Sequence, residues 1–263
     1  MKATVNGLQT YYEIHGAEGA PWLTFSHSLA CSVRMWDGQI AAFKDRYRVL
    51  AYDARGHGSS AAPAGAYSLE MLADDLHALL GHLSIAKTHF VGLSMGGMIG
   101  QTFALKYPGV FQTLTLADTT SRYPAEAAAT WQERIRVAES KGMGPLVQAT
   151  LERWFTPSFR EKHPETVQQI SRLISTTPVA GYVGCCHAIP KIDLTARLKE
   201  VKCPALVICG EQDPATSPAM AREIQSSLPG AKLALIPQAA HLSNIEQPEA
   251  FNRALGGFLS AKT

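Results

Sequence analysis

Short apolar runs alternate along the chain with longer segments in which apolar residues recur every three or four positions. The short runs have the length and composition of buried β-strands; they are PWLTFSH, YRVLAYD, HFVGL, TLTLAD, PALVICG and AKLALIP. Before HFVGL, a segment that Ser68 can cap has its leucines on one helical face: Leu69, Leu72, Leu76, Leu79, Leu80 and Leu83. An N-terminal hairpin is predicted to turn at Asn6 and Gly7. This alternation predicts an α/β fold, with a mostly parallel central sheet and helices on both faces.

The strand pattern is interrupted once. Segments that begin at Pro124, Pro145 and Pro164 have helical patterns instead, each with a proline near its first turn. We therefore predict one core domain with an inserted helical cap, in which residues 1–120 and 194–263 form the core and residues 121–193 form the cap.

A serine lies between two glycines where the run HFVGL meets a helical segment. Gly92, Ser94 and Gly96 form the pattern G-x-S-x-G, which is typical of a sharp strand-to-helix turn that exposes a nucleophilic serine. Glycine is needed at the flanking positions because neighbouring backbones come close there. The N–H of Met95, at the start of the helix, is expected to face an oxyanion formed at Ser94.

A serine nucleophile needs a histidine base and a carboxylate that orients the histidine. Asp213 follows the run PALVICG and His241 follows AKLALIP, so both lie at the carboxyl ends of predicted strands, in the order Ser, acid, His. In a parallel sheet such strand ends meet at the edge where ligands bind. The sequence therefore predicts a catalytic triad of Ser94, Asp213 and His241.

Composition limits the classes of partner. The chain has 24 basic and 22 acidic residues and a net charge of +2, with no long run of one sign, so we expect no nucleic-acid or membrane-surface partner. It has neither a bilayer-spanning apolar stretch nor a secretory signal pattern, which predicts a cytoplasmic location. Five cysteines, an odd number without an export signal or zinc-like spacing, predict free thiols and no metal site. No cofactor is expected. A small molecule is the expected partner, and self-association stays open.

The chain resembles the α/β-hydrolase family nearly from end to end, and five stretches carry the resemblance. They are SHSL, YDARGHGSS, VGLSMGG, GEQD and AAHLSNIEQPEAF. The resemblance implies the α/β-hydrolase fold with an inserted cap. It also implies that the second oxyanion donor is the N–H of Leu29, in the loop HSLACSVRMWD.

Within that family, the sequence is most similar to the 3-oxoadipate enol-lactonases. The matching stretches are SLACSVRMWDGQI, RWFTPSF, GYVGCCHAI and AAHLSNIE, whereas His27 and the pair Ala30-Cys31 depart from the pattern. The resemblance implies that Ser94 opens an enol-lactone through an acyl-enzyme. The lactone carries a carboxylate, so an arginine or lysine is expected in the pocket. The candidates for this substrate-binding role are Arg122, Arg153 and Trp154.

Three alternatives stay open at this point. The same triad would serve a carboxylesterase or another lactonase that acts on neutral substrates. Related machinery hydrolyses carbon–carbon bonds in products of aromatic ring cleavage. The scaffold could also be a ligand-binding protein without catalytic activity.

Overall fold

The computed structural model describes residues 1–261, which form one eight-stranded sheet with helices packed against it. The strands in chain order are β1 (Lys2–Val5), β2 (Leu8–His15), β3 (Trp22–Ser26), β4 (Arg48–Tyr52), β5 (Thr88–Leu93), β6 (Phe111–Ala117), β7 (Ala205–Gly210) and β8 (Lys232–Ile236). Their order across the sheet is β1-β2-β4-β3-β5-β6-β7-β8. The pairs β1·β2 and β2·β4 are antiparallel and all other neighbours are parallel. The predicted mostly parallel α/β sheet is thus confirmed.

The helices pack against both the sheet and each other. In chain order they are α1 (Asp37–Phe43), α2 (Leu69–His82), α3 (Met95–Lys106), α4 (Ala127–Lys141), α5 (Val147–Trp154), α6 (Pro157–Lys162), α7 (Pro164–Thr176), α8 (Val179–Ala188), α9 (Pro218–Ser227), α10 (Ser243–Glu246) and α11 (Pro248–Ser260). Ser68 caps α2 as the sequence indicates, because its Oγ accepts the N–H of Met71 at 3.0 Å. None of the helices within residues 1–261 has the length and apolar character needed to cross a membrane.

Helices α4 to α8 lie between β6 and β7 and form the helical insertion. Proline begins α7 directly, whereas α4 and α5 start two or three residues after Pro124 and Pro145, since a turn or a short 3-10 helix intervenes. The segments that enter and leave the insertion pair with each other: Leu194 donates its N–H to the carbonyl of Ser121 at 2.8 Å. This pairing lies at the limits that we propose for the cap, residues 121–193.

A contact between two glycines places α8 directly on a core loop. A Cβ atom on Gly181 would lie 2.0 Å from the carbonyl oxygen of Gly56, which no side chain can tolerate. Close by, Tyr67 donates its N–H to the carbonyl of Gly184 at 3.0 Å. At this point α8 therefore contacts the core loop backbone to backbone, with no side chain between Gly56 and Gly181.

Two buried histidines hold the loop that follows β3. The Nε2 atom of His57 accepts the N–H of Ala30 at 3.0 Å, and that of His27 accepts the N–H of Ala54 at 2.9 Å. The Nδ1 atoms face the carbonyls of Arg55 and Ser28. Each ring is thereby fixed as the neutral tautomer that carries its proton on Nδ1. Burial lowers the pKa of His27 to about 4, and burial together with His27 lowers that of His57 to about 3.

Replacing Gly181 tests the glycine contact. Gly181→Ala is expected to lower the free energy of unfolding by about 1–3 kcal/mol, because the added methyl group must displace the backbone of Gly56. Gly81→Ala is the matched control, since its Cβ position on α2 is open, and it is expected to be neutral or slightly stabilising. Urea denaturation measures both changes. A Gly181→Ala variant with the same free energy of unfolding as the wild type would contradict the close contact.

The two histidines also predict how stability depends on pH. Their pKa values in the folded protein lie below the ordinary value of 6.5, so the unfolded chain binds more protons in acid. The stabilisation that comes from keeping the two histidines neutral is complete above pH 6.5. As the pH falls toward 4, the free energy of unfolding decreases by up to about 1.4 kcal/mol per pH unit for each histidine. His57→Gln is expected to reduce this slope in urea titrations between pH 7 and 5, whereas the exposed His82→Gln should leave it unchanged. An unaltered slope in His57→Gln would refute this explanation.

Candidate active site

Ser94 occupies a strained turn between β5 and α3. Its backbone has φ 56° and ψ −114°, in the region that side chains rarely adopt. A Cβ on Gly92 would lie 2.2 Å from the carbonyl oxygen of Gly96, and one on Gly96 would lie 2.1 Å from that of Ser26. The structure therefore requires both glycines, for the reason that the sequence pattern indicates.

Asp213 and His241 meet beyond the ends of β7 and β8. The Nδ1 atom of His241 lies 2.9 Å from Oδ2 of Asp213. The carboxylate also accepts the hydroxyl and N–H of Thr216 and the N–H of Ala215, at 2.7 to 3.0 Å. Burial opposes ionisation of Asp213, but the charge and hydrogen bond of His241 and the donors of Thr216 outweigh it, so the pKa of Asp213 lies below its ordinary value. An ionised Asp213 directs the Nδ1–H of His241 toward itself and leaves Nε2 to accept a proton.

One cavity of about 220 Å³ brings Ser94 and His241 together at the carboxyl edge of the sheet. The core contributes the loop after β3 and the start of α3, and the insertion contributes α4, α5 and α8. The wall from the insertion is aromatic and cationic, and its members include Tyr123, Trp131, Arg134, Arg153, Trp154 and Tyr182. The structure thus places two of the three predicted triad residues on the cavity and links the third to it through His241.

The two N–H groups predicted as oxyanion donors belong to Leu29 and Met95. Met95 is the first residue of α3, so its N–H has no acceptor within the helix. Leu29 lines the cavity, and its neighbours Ser28 and Ala30 donate their N–H groups to Met35 Sδ and His57 Nε2. Across residues 1–261, the Leu29 N–H donates no hydrogen bond to a protein acceptor. Neither predicted donor is therefore used by a hydrogen bond within the described residues, and Leu29 lies on the cavity wall.

Two arginines of the insertion line the cavity without a carboxylate partner. Arg134 lies over the Trp131 ring, with 4.4 Å between its guanidinium carbon and the ring centroid, and Arg153 donates to the Thr150 hydroxyl at 3.1 Å. Among the residues that the structure describes, no carboxylate oxygen lies within 4.0 Å of either guanidinium. Burial and the charge of Arg134 lower the pKa of Arg153. An anionic ligand would relieve this repulsion.

The three predicted substrate-binding residues have different positions. Arg153 and Trp154 line the cavity, and the Trp154 ring stacks on that of His241 with 6.2 Å between centroids. Arg122 does not line it, because its guanidinium lies 2.5 Å from the carboxylate of Glu223 on α9 and its side chain is 58% exposed. The geometry therefore assigns Arg122 to a surface ion pair. Arg134 was missed, although its spacing of three from Trp131 on one helix was a usable signal.

A second buried carboxylate lies beside Asp213. Asp118 accepts the N–H of Gly210 at 2.8 Å and the hydroxyl of Ser243 at 2.5 Å. Burial, with a further contribution from Asp213, raises the pKa of Asp118 well above its ordinary value. Asp118, Cys209 and Asp213 offer ligand atoms within 4.8 Å of one another, but both carboxylates already accept the protein donors described above. These hydrogen bonds give the two carboxylates a structural role, in which they hold the loops at the ends of β6 and β7.

Comparisons with known proteins agree with this architecture. A family model described as alpha/beta hydrolase fold matches residues 21–248. Over 252 residues the chain is 39% identical to 3-oxoadipate enol-lactonase 2 of Acinetobacter baylyi, a match that covers 96% of this chain and 93% of the relative.

Solved structures give the same result. The enol-lactonase from Burkholderia xenovorans LB400 is 38% identical with a TM-score of 0.96, covering 99% of this chain and 100% of that one. A thermophilic esterase from Thermogutta terrifontis is 29% identical with a TM-score of 0.93, covering 100% and 98%. With its sheet order, its serine turn and these matches, the chain belongs to the α/β-hydrolase fold family.

Proposed function

We propose that this protein is a serine hydrolase that opens 3-oxoadipate enol-lactone to 3-oxoadipate. The observation that carries the proposal is the composition of the cavity, which joins Ser94 and His241 to two arginines that have no carboxylate partner in residues 1–261. A hydrolytic centre beside a cationic wall fits an ester that bears its own carboxylate. The similarity to two enol-lactonases, at 39% and 38% identity, supports the same substrate.

In the first half of the proposed reaction, Ser94 becomes acylated. Its Oγ attacks the lactone carbonyl while Nε2 of His241 takes the hydroxyl proton. The negative charge that develops on the carbonyl oxygen accepts hydrogen bonds from the N–H groups of Leu29 and Met95. Asp213 holds the imidazole and stabilises its positive charge, in keeping with its lowered pKa.

Collapse of the tetrahedral intermediate breaks the ring C–O bond. The leaving oxygen is that of an enol, so it departs more readily than an alkoxide, and it receives the proton from His241. The enol then tautomerises to a ketone, which removes the nucleophile that could close the ring again. In the second half, His241 takes a proton from water as the water oxygen attacks the acyl carbonyl. The bond between the acyl carbon and Ser94 Oγ then breaks, His241 returns the proton to Oγ, and the carboxylic acid product is released.

The arginines are assigned to the substrate carboxylate. Arg134 on α4 and Arg153 on α5 approach the cavity from separate helices, so together they can bind both carboxylate oxygens. The volume of about 220 Å³ is below the range usual for drug-sized ligands, which suits a small lactone. The five free cysteines favour a reducing compartment, and we propose the cytoplasm.

Ser94→Ala tests the nucleophile. It is expected to reduce kcat/KM for 3-oxoadipate enol-lactone by a factor of at least about 10³, because it removes the oxygen that forms the acyl-enzyme. The loss of lactone absorbance in the ultraviolet measures the rate, beside turnover of a short p-nitrophenyl ester. Ser226→Ala, an exposed hydroxyl on α9, is the control and should match the wild type. Ester turnover without lactone turnover by the wild type would instead indicate a general esterase.

Arg134→Gln and Arg153→Gln test the anion site. Each is expected to raise KM for the lactone by about 10-fold to 100-fold, the value of a charged hydrogen bond, and to leave hydrolysis of the neutral ester unchanged. Arg136→Gln is the matched control, because Arg136 lies on the same helix and pairs with Glu133 at the surface. An equal loss on both substrates would show that the arginines maintain the cavity and do not bind the carboxylate.

A further inference from the structure

The turn that carries His241 is held on both sides of the histidine by contacts outside the triad. Ala240, directly before it, donates its N–H to Oε2 of Glu246 at 2.8 Å. Leu242, directly after it, donates its N–H to the carbonyl oxygen of Trp154 at 3.1 Å. One restraint therefore comes from the core and the other from the insertion.

Glu246 connects these two restraints. Its second oxygen, Oε1, accepts the N–H of Thr156 at 3.0 Å and also the Thr156 hydroxyl. Thr156 caps α6 and follows Trp154 by two residues. It therefore belongs to the same segment of the insertion as the residue that contacts Leu242. A single carboxylate thus binds the backbone of the histidine turn with one oxygen and the backbone of the insertion with the other.

The environment of Glu246 is unusual for an acidic side chain. The residue is only 5% exposed, and within residues 1–261 no lysine, arginine or histidine nitrogen lies within 4.0 Å of its carboxylate. The three hydrogen-bond donors of Ala240 and Thr156 are therefore the groups that solvate it. Neither oxygen contacts the cavity, so Glu246 has no direct contact with the substrate.

We infer that Glu246 is a positioning residue that sets His241 and the Trp154 segment of the insertion relative to each other. The inference rests on the proposed function, because it gives His241 its role as the base. Glu246 and Asp213 act at different places. Asp213 orients the imidazole ring, whereas Glu246 fixes the backbone beside His241 and the segment that carries Trp154, whose ring packs against that imidazole.

The chemistry of the two oxygens explains why a carboxylate is required. Both oxygens must accept, one from Ala240 and the other from Thr156. A glutamine has the same size but one acceptor oxygen and one NH₂ donor. Its NH₂ would oppose an N–H group at one end, so it can hold either the histidine turn or the insertion, but not both.

The test compares Glu246→Gln with Glu249→Gln, which removes the same charge from an exposed position three residues further along. The kcat and KM for the lactone and for the neutral p-nitrophenyl ester are measured at a temperature where each variant is fully folded by circular dichroism. Glu246→Gln is expected to lower kcat on both substrates by about 10-fold to 100-fold, as a small displacement of a catalytic group does, with KM changing less than kcat. Glu249→Gln should match the wild type.

A second pair of variants approaches the same link from the insertion and serves if Glu246→Gln does not fold. Thr156→Val removes the hydroxyl donor, whereas Thr156→Ser keeps it. Thr156→Val is expected to lower kcat by about 3-fold to 10-fold, whereas Thr156→Ser should keep the wild-type kcat. Thr156 does not line the cavity that holds Ser94. A role limited to stability would change the melting temperature of these variants but not kcat in the folded protein.

The outcomes separate this inference from the proposed function. A wild-type protein that turns over neither substrate would overturn both. An active wild type whose folded Glu246→Gln variant keeps full kcat, or loses activity through KM alone, would overturn the inference and leave the proposed function standing. Equal kcat values for Thr156→Val and Thr156→Ser would also overturn it.

Discussion

The close approach of three backbones around Ser94 is the constraint on which the rest of the site depends. The serine turn exists only because Gly92 and Gly96 let the end of β5, the start of α3 and the carbonyl of Ser26 come together. A left-handed backbone at a serine costs about 1–3 kcal/mol, and it persists because β5 and most of α3 are buried. The same contact sets the distance between α3 and the loop after β3, which carry the two candidate oxyanion donors.

The cavity divides its chemistry between the two parts of the chain. The core supplies the groups of the proposed acyl transfer, and it holds them with buried carboxylates and neutral histidines. The insertion supplies the cations and the aromatic walls. Because the arginines proposed to bind the substrate carboxylate belong to the insertion, the proposed site needs no cation beside Asp213, where it would compete with His241.

The sequence was sufficient for the fold and for the location of the triad candidates, because those depend on local patterns. Apolar runs marked the strands, and parallel strands bring their carboxyl ends to one edge wherever they lie in the sequence. The charged lining of the cavity depends instead on how helices of the insertion pack. Arg122 lies shortly after the end of β6 and was expected at the cavity, but Glu223 on a distant helix pairs with it. The spacing of Trp131 and Arg134 shows that they share a face of α4, but only the packing of α4 on α8 places that face at the cavity.

The contact between Gly56 and Gly181 has a consequence for how this chain can change. Each glycine excludes a side chain from the other, so substitution at either position requires a rebuilt loop or a shifted helix. Lengths and sequences elsewhere in the insertion are free of that requirement. Exchange of the whole insertion for that of another hydrolase would therefore have to preserve this close contact, together with the hydrogen bonds that join Trp154 and Thr156 to the core. Both glycines would have to be retained as a unit, while the residues that select the substrate are replaced around them.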